Sequence, residues 1–298
     1  AVIEIATAAG LALLGPEERD PLRATSYGAG QLIRGALDRG CRRVFIGLGG
    51  SATVDGAAGL VEALGVRLLD SRGQPIGRGG GGLAALAHID ASGIDPRISA
   101  TKLIALCDVD NVLLGEEGAA RVFGPQKGAT PPVVEQLEKN LAHLADVIRV
   151  DLGLDVRTLR HSGAAGGMAA GLVGMLGATL TAGADRVLDL LRFDEHLHRC
   201  DLVVTAEGLL DRQTSGRKAP WAVAARARSR GIPVIALAGG IADGVTAQDL
   251  QVFDATLALP RRPMTLDDAM ANARPLLVAA AEQLGRLLGV GSALARPR

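Results

Sequence analysis

Acidic side chains stand at the end of an apolar stretch in the middle of this 298-residue chain. Asp108 and Asp110, in the segment CDVDN, close a stretch over 102–110 that predicts a β-strand. Two carboxylates two residues apart can bind a divalent cation or accept the proton of a hydroxyl group. Open α/β sheets bind their ligands at the carboxyl ends of their strands, where these residues would lie. The alternative is a solvated loop in which the aspartates cap local backbone amides.

Basic side chains occur in two other segments. In FGPQKGA, a proline and a glycine hold Lys127 in a stiff loop, although a lone lysine is also a common surface residue. The segment TAEGLLDRQTSGRK, at 205–218, carries Glu207 and Asp211 after a predicted strand and Lys218 before a predicted helix. A cation at a helix N-terminus opposes the helix dipole by roughly 0.3–1 kcal/mol. A lysine at this position therefore indicates that an anionic ligand or a carboxylate lies nearby.

A glycine-rich loop, GLGGSA at 47–52, follows another predicted strand and precedes a predicted helix. With Asp70 about 20 residues further on, the spacing matches the fingerprint of dinucleotide-binding proteins. It also matches a general anion loop, in which Ser51, Thr53 and the glycine amides bind a phosphate or a carboxylate. A tight strand-to-helix turn without a ligand is the third interpretation. The local pattern favours the anion loop and leaves the other two open.

Composition and charge restrict the class of partner. The 32 Lys and Arg residues balance the 32 Asp and Glu residues, and aromatic residues make up 2% of the chain. Both features argue against nucleic-acid binding, and the balanced charge argues against binding to a membrane surface. Three widely spaced cysteines without a CxxC motif predict a reducing compartment. No apolar run reaches the roughly 18 residues of a membrane helix and no signal peptide is visible, so a cytoplasmic location is expected.

Predicted helices and strands alternate along the chain, which indicates α/β architecture. The succession of predicted strands and helices becomes more regular in the later part of the chain, which places a domain boundary near residue 185. Residues 1–185 form an α/β domain, and residues 186–298 are typical of half an open parallel sheet with helices on its faces. Predicted helices cover 26–39, 131–148, 220–230 and 265–288, and predicted strands cover 43–46, 66–69, 102–110, 201–208 and 232–240. The phosphate loop GxxxxGK[ST] and the protein-kinase signatures are absent from the sequence.

Longer stretches resemble the bacterial glycerate kinase family of the type that includes tartronate-pathway enzymes. The resemblance spans essentially the whole chain in the family's order. It is carried by ATSYGAGQLI (24–33), IGLGGSATVDGAAG (46–59), CDVDNVLLG (107–115), FGPQKGA (123–129), GAAGGMAAGL (163–172), ADRVLDLL (184–191), DLVVTAEGLLDRQTSGRKAP (201–220), PVIALAGG (233–240) and PMTLDDAMANA (263–273).

The resemblance implies transfer of the γ-phosphoryl group of ATP to glycerate, with Mg²⁺ as the cofactor ion and 2-phosphoglycerate as the favoured product. It also implies two α/β domains, one of them Rossmann-like with a parallel sheet, and an active-site cleft between them. Residues 186–298 would form the C-terminal part of the Rossmann-like domain, whose N-terminal part, with an Asp-Ser-Phe-Lys-Gly loop, is absent from this chain. The chain departs from the family pattern at Val54, Ala57, Val112 and Leu209, where Asn, Gly, Pro and Arg are usual.

The family motifs and the chemistry of their side chains together predict a site. The predicted catalytic residues are Asp55, Asp108, Lys127 and Lys218; substrate or nucleotide would be bound by Gly49, Gly50, Ser51, Thr53, Asp110, Gly163, Gly166 and Gly167, and Mg²⁺ by Glu207 and Asp211. The expected partner is a small-molecule substrate, glycerate, with neither nucleic acid nor membrane, and the sequence leaves open whether the chain forms a homodimer. Two alternatives remain: an NAD-dependent oxidoreductase that uses the 47–52 loop with Asp70, and a truncated kinase remnant without turnover.

Overall fold

Parallel β-strands and helices alternate through the computed structural model, which describes residues 1–211 and 219–295. This arrangement confirms the predicted α/β architecture. The chain divides after Gly183 into a first unit, Ala1–Gly183, and a second unit that begins at Ala184. Within the described ranges, no helix combines the length and the apolar character that crossing a bilayer requires.

The first unit is built around a parallel sheet. The strands of this unit are β1 (Val2–Glu4), β2 (Arg43–Gly47), β3 (Arg67–Leu69), β4 (His88–Asp90), β5 (Lys102–Leu106) and β6 (Thr179–Thr181). Its helices are α1 (Ala6–Ala9), α2 (Tyr27–Asp38), α3 (Ala58–Ala63), α4 (Ala119–Phe123), α5 (Pro131–Leu152) and α6 (Ala164–Leu176). The parallel sheet has the order β1-β2-β5-β6, and β3 and β4 form a separate antiparallel pair.

The central strands β2 and β5 are apolar along almost their whole length, as expected for a parallel sheet that is covered on both faces. Val44 and Leu103 on one face join the main core, whereas Phe45 and Ile104 on the other face belong to a smaller cluster. Gly47 pairs with Leu106, so the two strands end at the same edge of the sheet. The segments that follow β2 and β5 therefore emerge side by side.

Helix α5 contributes an apolar stripe to the main core. Leu137, Leu141, Leu144 and Ile148 are fully buried and recur at the spacing of three and four residues that places side chains on one helix face. Each fully buried side chain of this kind contributes roughly 1.5–3 kcal/mol. The helix ends at Gly153, whose φ of 75° is the left-handed conformation common after a last helical turn.

The second unit carries its own parallel sheet. Along the chain come α7 (Gly183–Leu190), whose first residue is the last of the first unit, and then α8 (Phe193–Leu197), β7 (Val203–Glu207), α9 (Ala219–Arg228), β8 (Val234–Ala238), β9 (Ala255–Ala258), α10 (Leu266–Ala271) and α11 (Ala273–Leu294). The sheet has the order β7-β8-β9. Strand β7, predicted at 201–208, is only partly buried, because Val204 keeps 47% of its surface exposed.

Three other predicted elements differ from the structure. The predicted 102–110 strand ends at Leu106, since aspartate is disfavoured in strands and residues 107–110 form a loop. Strand β3, predicted at 66–69, pairs antiparallel with β4 outside the parallel sheet. The predicted 265–288 helix is interrupted at Asn272 because Pro275 has no N–H to donate to the carbonyl of Ala271.

Candidate active site

The loop between β2 and α3, residues 48–57, forms the floor of the candidate site. Gly50 has a φ of 71°, which lets the chain turn sharply after β2. The turn is fixed by two backbone hydrogen bonds at 2.8 Å, in which the N–H of Leu11 donates to Gly50 and the N–H of Ala52 donates to Ala9. Residues 51–57 are buried, whereas Gly49 and Gly50 remain exposed. The backbone at the start of the loop is therefore exposed, and the second half of the loop is buried.

Asp55 lies in the buried half of this loop and is fully inaccessible. One carboxylate oxygen accepts hydrogen bonds from the Ser26 N–H and hydroxyl at 2.8 Å each and from the Gly59 N–H at 3.3 Å. Burial raises the pKa of this carboxyl, and the hydrogen bonds partly offset that rise. Ser26 also accepts a bond from the N–H of Leu60 at 2.9 Å. Asp55 therefore connects the start of α2 to α3 and holds the two helices in position.

Lys127 is the other charged side chain buried beside this loop, with 3% of its surface exposed. Its ammonium donates to the hydroxyl of Ser51 at 2.7 Å and to the carbonyl of Thr53 at 2.8 Å. Burial lowers the pKa of Lys127 to about 8, and the charge of Asp55 partly offsets the effect. The lysine is held by a 3₁₀ turn, Pro125–Lys127, followed by Gly128 at a φ of 94°. The two described acceptors are neutral, so the positive charge has no direct counter-ion among them.

A cavity of about 260 Å³ opens between the β2–α3 loop and the segment that follows β5. It is lined by Gly49, Gly50, Ser51, Asp108 and Lys127 together with apolar side chains that include Leu48, Leu106 and Phe123. A methyl group at Gly183 would lie 2.8 Å from a carboxylate oxygen of Asp108, so the carboxylate lies directly against this glycine. The fold thus brings together five predicted site residues: the exposed start of the glycine-rich loop, one lysine and one aspartate.

The glycines at 163–167 lie behind this cavity. Ala165, Gly166 and Gly167 all adopt the left-handed conformation, with φ values of 55°, 69° and 80°. A methyl group at Gly166 would lie 2.1 Å from the Thr53 carbonyl, and one at Gly163 would lie 2.2 Å from the carbonyl of Val112. Among the described residues, Ala164 and Ala165 line the cavity, whereas the three predicted glycines allow the close backbone approach that shapes it.

Asp110 lies outside the lining of this cavity. Its two carboxylate oxygens accept hydrogen bonds from the guanidinium of Arg160 at 2.9 and 2.8 Å. The neighbouring His161 has a φ of 71° and lies with its Nδ1 2.6 Å from the carbonyl oxygen of Val109. The paired carboxylate of Asp110 connects the post-β5 segment to the residues before α6, and its predicted role in ligand binding stays a prediction.

The remaining predicted residues belong to the second unit. Glu207 ends β7, and its backbone carbonyl accepts a hydrogen bond from the N–H of Gly239 at 3.0 Å. Asp211 lies in the following segment, and Lys218 lies outside the described residues. In the ranges 1–211 and 219–295, no group of three or more His, Cys, Asp or Glu side chains is arranged to hold a metal ion.

The dinucleotide interpretation of the 47–52 loop is wrong. In that fingerprint the helix starts directly at the glycine-rich loop, whereas α3 begins only at Ala58, six residues after Ala52. Asp70, expected to bind a ribose, instead accepts hydrogen bonds from the N–H groups of Arg72 and Gln74 at 2.8 and 2.9 Å and closes a turn after β3. The loop therefore lacks both partners that a dinucleotide requires.

Two site features were missed at the level of sequence. Ser26 lies in the stretch ATSYGAGQLI, for which the sequence predicts no functional residue. A serine at the start of a predicted helix is nevertheless a signal for helix capping or a buried hydrogen bond. The FGPQKGA motif predicts Lys127 alone as a site residue, yet Phe123 of the same motif forms an apolar wall of the cavity. Both features arise from contacts between residues that are far apart in the chain.

Comparison with known proteins identifies the family. The model of the glycerate kinase family matches residues 1–289. A glycerate kinase from Halalkalibacterium halodurans is 48% identical over 284 residues, which cover 95% of this chain and 75% of that protein. The glycerate 2-kinase of Escherichia coli K12 is 44% identical over 98% of this chain and 76% of its own length.

A crystal structure supports the same assignment. It belongs to a Salmonella typhimurium LT2 protein that is named, provisionally, glycerate kinase 2. The two chains share 46% sequence identity and superpose with a TM-score of 0.79, covering 98% of this chain and 76% of the Salmonella chain. The chain described here therefore belongs to the glycerate kinase family and is a kinase.

Proposed function

We propose that this protein transfers the γ-phosphoryl group of ATP to the 2-hydroxyl group of glycerate and releases ADP and 2-phosphoglycerate. The observation that carries the proposal is the shared cavity of Lys127, Asp108 and the 49–51 loop, which combines a cation, a carboxylate and backbone donors. The Escherichia coli relative, named glycerate 2-kinase, supports the choice of hydroxyl group.

Phosphoryl transfer depends mainly on positioning and on neutralisation of negative charge. The 2-hydroxyl oxygen of glycerate attacks the γ-phosphorus while the bond from that phosphorus to the β–γ bridging oxygen breaks. Asp108 accepts the hydroxyl proton, and ADP leaves with the bridging oxygen. Lys127 and the 49–51 loop hold an anion at the same cavity, either a phosphoryl group or the carboxylate of the acid.

The nucleotide is expected to bring Mg²⁺, which neutralises phosphate oxygens when it is bound. This ion is usually held by one or two carboxylates together with substrate phosphates and water. Glu207, the last residue of β7, and Asp211, four residues further on, would contribute these carboxylates in the second unit. Their role, that of Lys218, and a cytoplasmic location remain predictions.

The test is a coupled assay of ADP release with D-glycerate, followed by proton-coupled ³¹P NMR of the product. Phosphorus on the secondary carbon couples to one proton and gives a doublet, whereas phosphorus on the primary carbon couples to two and gives a triplet. We expect ADP release that depends on glycerate and a doublet. A triplet would move the reaction to the 3-hydroxyl, and the absence of glycerate-dependent ADP release would refute the proposed activity.

A further inference from the structure

We infer that the Lys127 cavity is the subsite for the acid, with the carboxylate of glycerate against Lys127 and the 49–51 backbone, and that the nucleotide binds outside this cavity. The inference rests on the proposed function and assigns one of its two substrates to one place. A carboxylate and a phosphoryl group both carry the negative charge that Lys127 pairs with, and the size of the cavity favours the carboxylate of the acid.

The charge of Lys127 requires an anion. An ammonium group has three donors, and two of them are used by the hydroxyl of Ser51 and the carbonyl of Thr53. No third acceptor within hydrogen-bond distance is found among the described residues. Burying an ion without a counter-ion costs several kcal/mol, so a ligand that brings a negative charge here is strongly favoured.

The backbone beside the ammonium supplies neutral donors. The N–H groups of Gly49, Gly50 and Ser51 donate no hydrogen bond to another described residue, and all three residues line the cavity. The Ser51 hydroxyl accepts from Lys127, which leaves its own hydrogen for a ligand. A left-handed residue in a turn, here Gly50, is typical of backbone concavities that bind anions.

The size of the cavity favours the acid over the nucleotide. Pockets for drug-sized ligands measure about 300–1,000 Å³, and this cavity measures about 260 Å³. Glycerate is a three-carbon acid, whereas ATP carries a purine, a ribose and three phosphoryl groups. The walls formed by Leu48, Leu106 and Phe123 would contact the short carbon chain of the acid.

Asp108 fixes the direction in which the acid lies. This carboxylate shares the cavity with Lys127 and would repel a second carboxylate placed beside it. The carboxylate end of glycerate therefore lies toward Lys127, and the hydroxyl-bearing carbons lie toward Asp108. This orientation matches the proton-accepting role proposed for Asp108, although it is reached from charge alone.

The experiment is isothermal titration of the full chain with D-glycerate in the absence of nucleotide, and separately with ADP. Lys127→Met should weaken glycerate binding at least tenfold and leave the affinity for ADP within about twofold, because a charge-assisted hydrogen bond contributes about 1.5–3 kcal/mol. The matched control is Lys139→Met, which removes an exposed lysine of α5 and should change neither affinity.

A second measurement needs no variant. Glyceramide, the neutral amide of the acid, should bind the unaltered chain at least tenfold more weakly than glycerate. Equal affinities, or a Lys127→Met variant that loses ADP and keeps glycerate, would overturn the assignment while glycerate-dependent ADP release still supported the proposed function. A chain that binds glycerate as inferred but releases no ADP would refute the activity and retain the subsite.

Discussion

Asp108 and Asp110 are two residues apart, yet the fold gives them different surroundings. The side chain of Asp108 lines the cavity beside Gly183, and the side chain of Asp110 accepts a bidentate hydrogen bond from Arg160. A general base must reach the proton that it accepts, and of these two aspartates Asp108 lines the cavity whereas Asp110 does not. The pair therefore forms its own matched control.

We expect Asp108→Asn to lower kcat by about 10²–10⁴, the usual contribution of general base catalysis, with little change in melting temperature. Asp110→Asn should lower kcat far less, because the carboxylate that it removes contacts Arg160 and not the cavity. Steady-state kinetics and thermal unfolding of both variants provide the measurement. Equal losses of kcat in the two variants would contradict the assignment of Asp108 as the base.

Lys127 is expected to make the ligand-free protein less stable. Its pKa is lowered from the usual 10.5 to about 8, so the unfolded chain binds the proton more tightly and protonated Lys127 costs about 3 kcal/mol below pH 8. Replacement by Met removes this cost but leaves the Thr53 carbonyl without its partner, a loss of about 1–3 kcal/mol. Ligand-free Lys127→Met should therefore be at least as stable as the unaltered chain at pH 7.

The pH dependence distinguishes this cause from a simple packing effect. Because the folded pKa lies below the unfolded one, this group's cost is complete below pH 8 and disappears as pH rises from about 8 toward 10.5. The stability of Lys127→Met relative to the unaltered chain should fall across that window. Denaturant unfolding of both chains at pH 7 and at about pH 9.5 measures it, and a difference independent of pH would contradict a buried charge.

At the scale of elements, the β2–α3 loop depends on a contact between residues 29 positions apart. Ser26 donates to Asp55 through both its N–H and its hydroxyl, and it accepts from the N–H of Leu60. Removing the hydroxyl leaves the carboxylate with fewer donors and the Leu60 N–H without an acceptor. Because Asp55 follows Ser51 and Thr53 in one loop, the effect would extend to the acceptors of Lys127.

Ser26→Ala should therefore destabilise the protein by about 1–3 kcal/mol, the cost of leaving buried polar groups unsatisfied. It should also raise KM for glycerate more than it lowers kcat, since it loosens the binding loop and leaves Asp108 in place. The control is Ser99→Ala, an exposed serine whose hydroxyl donates only to the local carbonyl of Pro96. Denaturant unfolding that shows no difference between the two variants would refute this role of Ser26.

The central strands and helices followed from local patterns, because apolar runs and helical periodicity are local properties. Helix α2, strand β2 and helix α5 lie close to their predicted ranges. The catalytic role of Asp55 is a prediction from the family motif, and spacing cannot show that Ser26 and Gly59 enclose its carboxylate. Local patterns also extended α11 across Asn272, because the apolar pattern continues where the missing N–H of Pro275 interrupts the hydrogen bonds.

At the scale of the whole molecule, the two units have separate and unequal cores. In the described residues, the main core of the first unit holds 43 buried apolar residues, all of them before Gly183. The larger cluster of the second unit holds nine, including Leu197, Val234 and Phe253. Since buried apolar area is the main stabilising contribution, the first unit should be the more stable of the two.

Native-state hydrogen exchange should reveal this difference. Amides of β2 and β5 are expected to exchange only through the least frequent openings, whereas amides of β7 and β8 should exchange through more frequent ones. Exchange followed by mass spectrometry at several low denaturant concentrations separates the two sets. Identical protection in both sheets would mean that the chain opens as one cooperative body.

The close approach of α6 to the β2–α3 loop also governs how this sequence can change over time. A methyl group at Gly166 would lie 2.1 Å from the Thr53 carbonyl, and one at Gly171 would lie 2.0 Å from the carbonyl of Gly56. These distances are to backbone atoms, which cannot turn aside as a flexible side chain can. An amino-acid replacement at either glycine would therefore be tolerated only together with a shift in the path of the other segment. The two segments, although more than 100 positions apart in the chain, are expected to diverge only in concert.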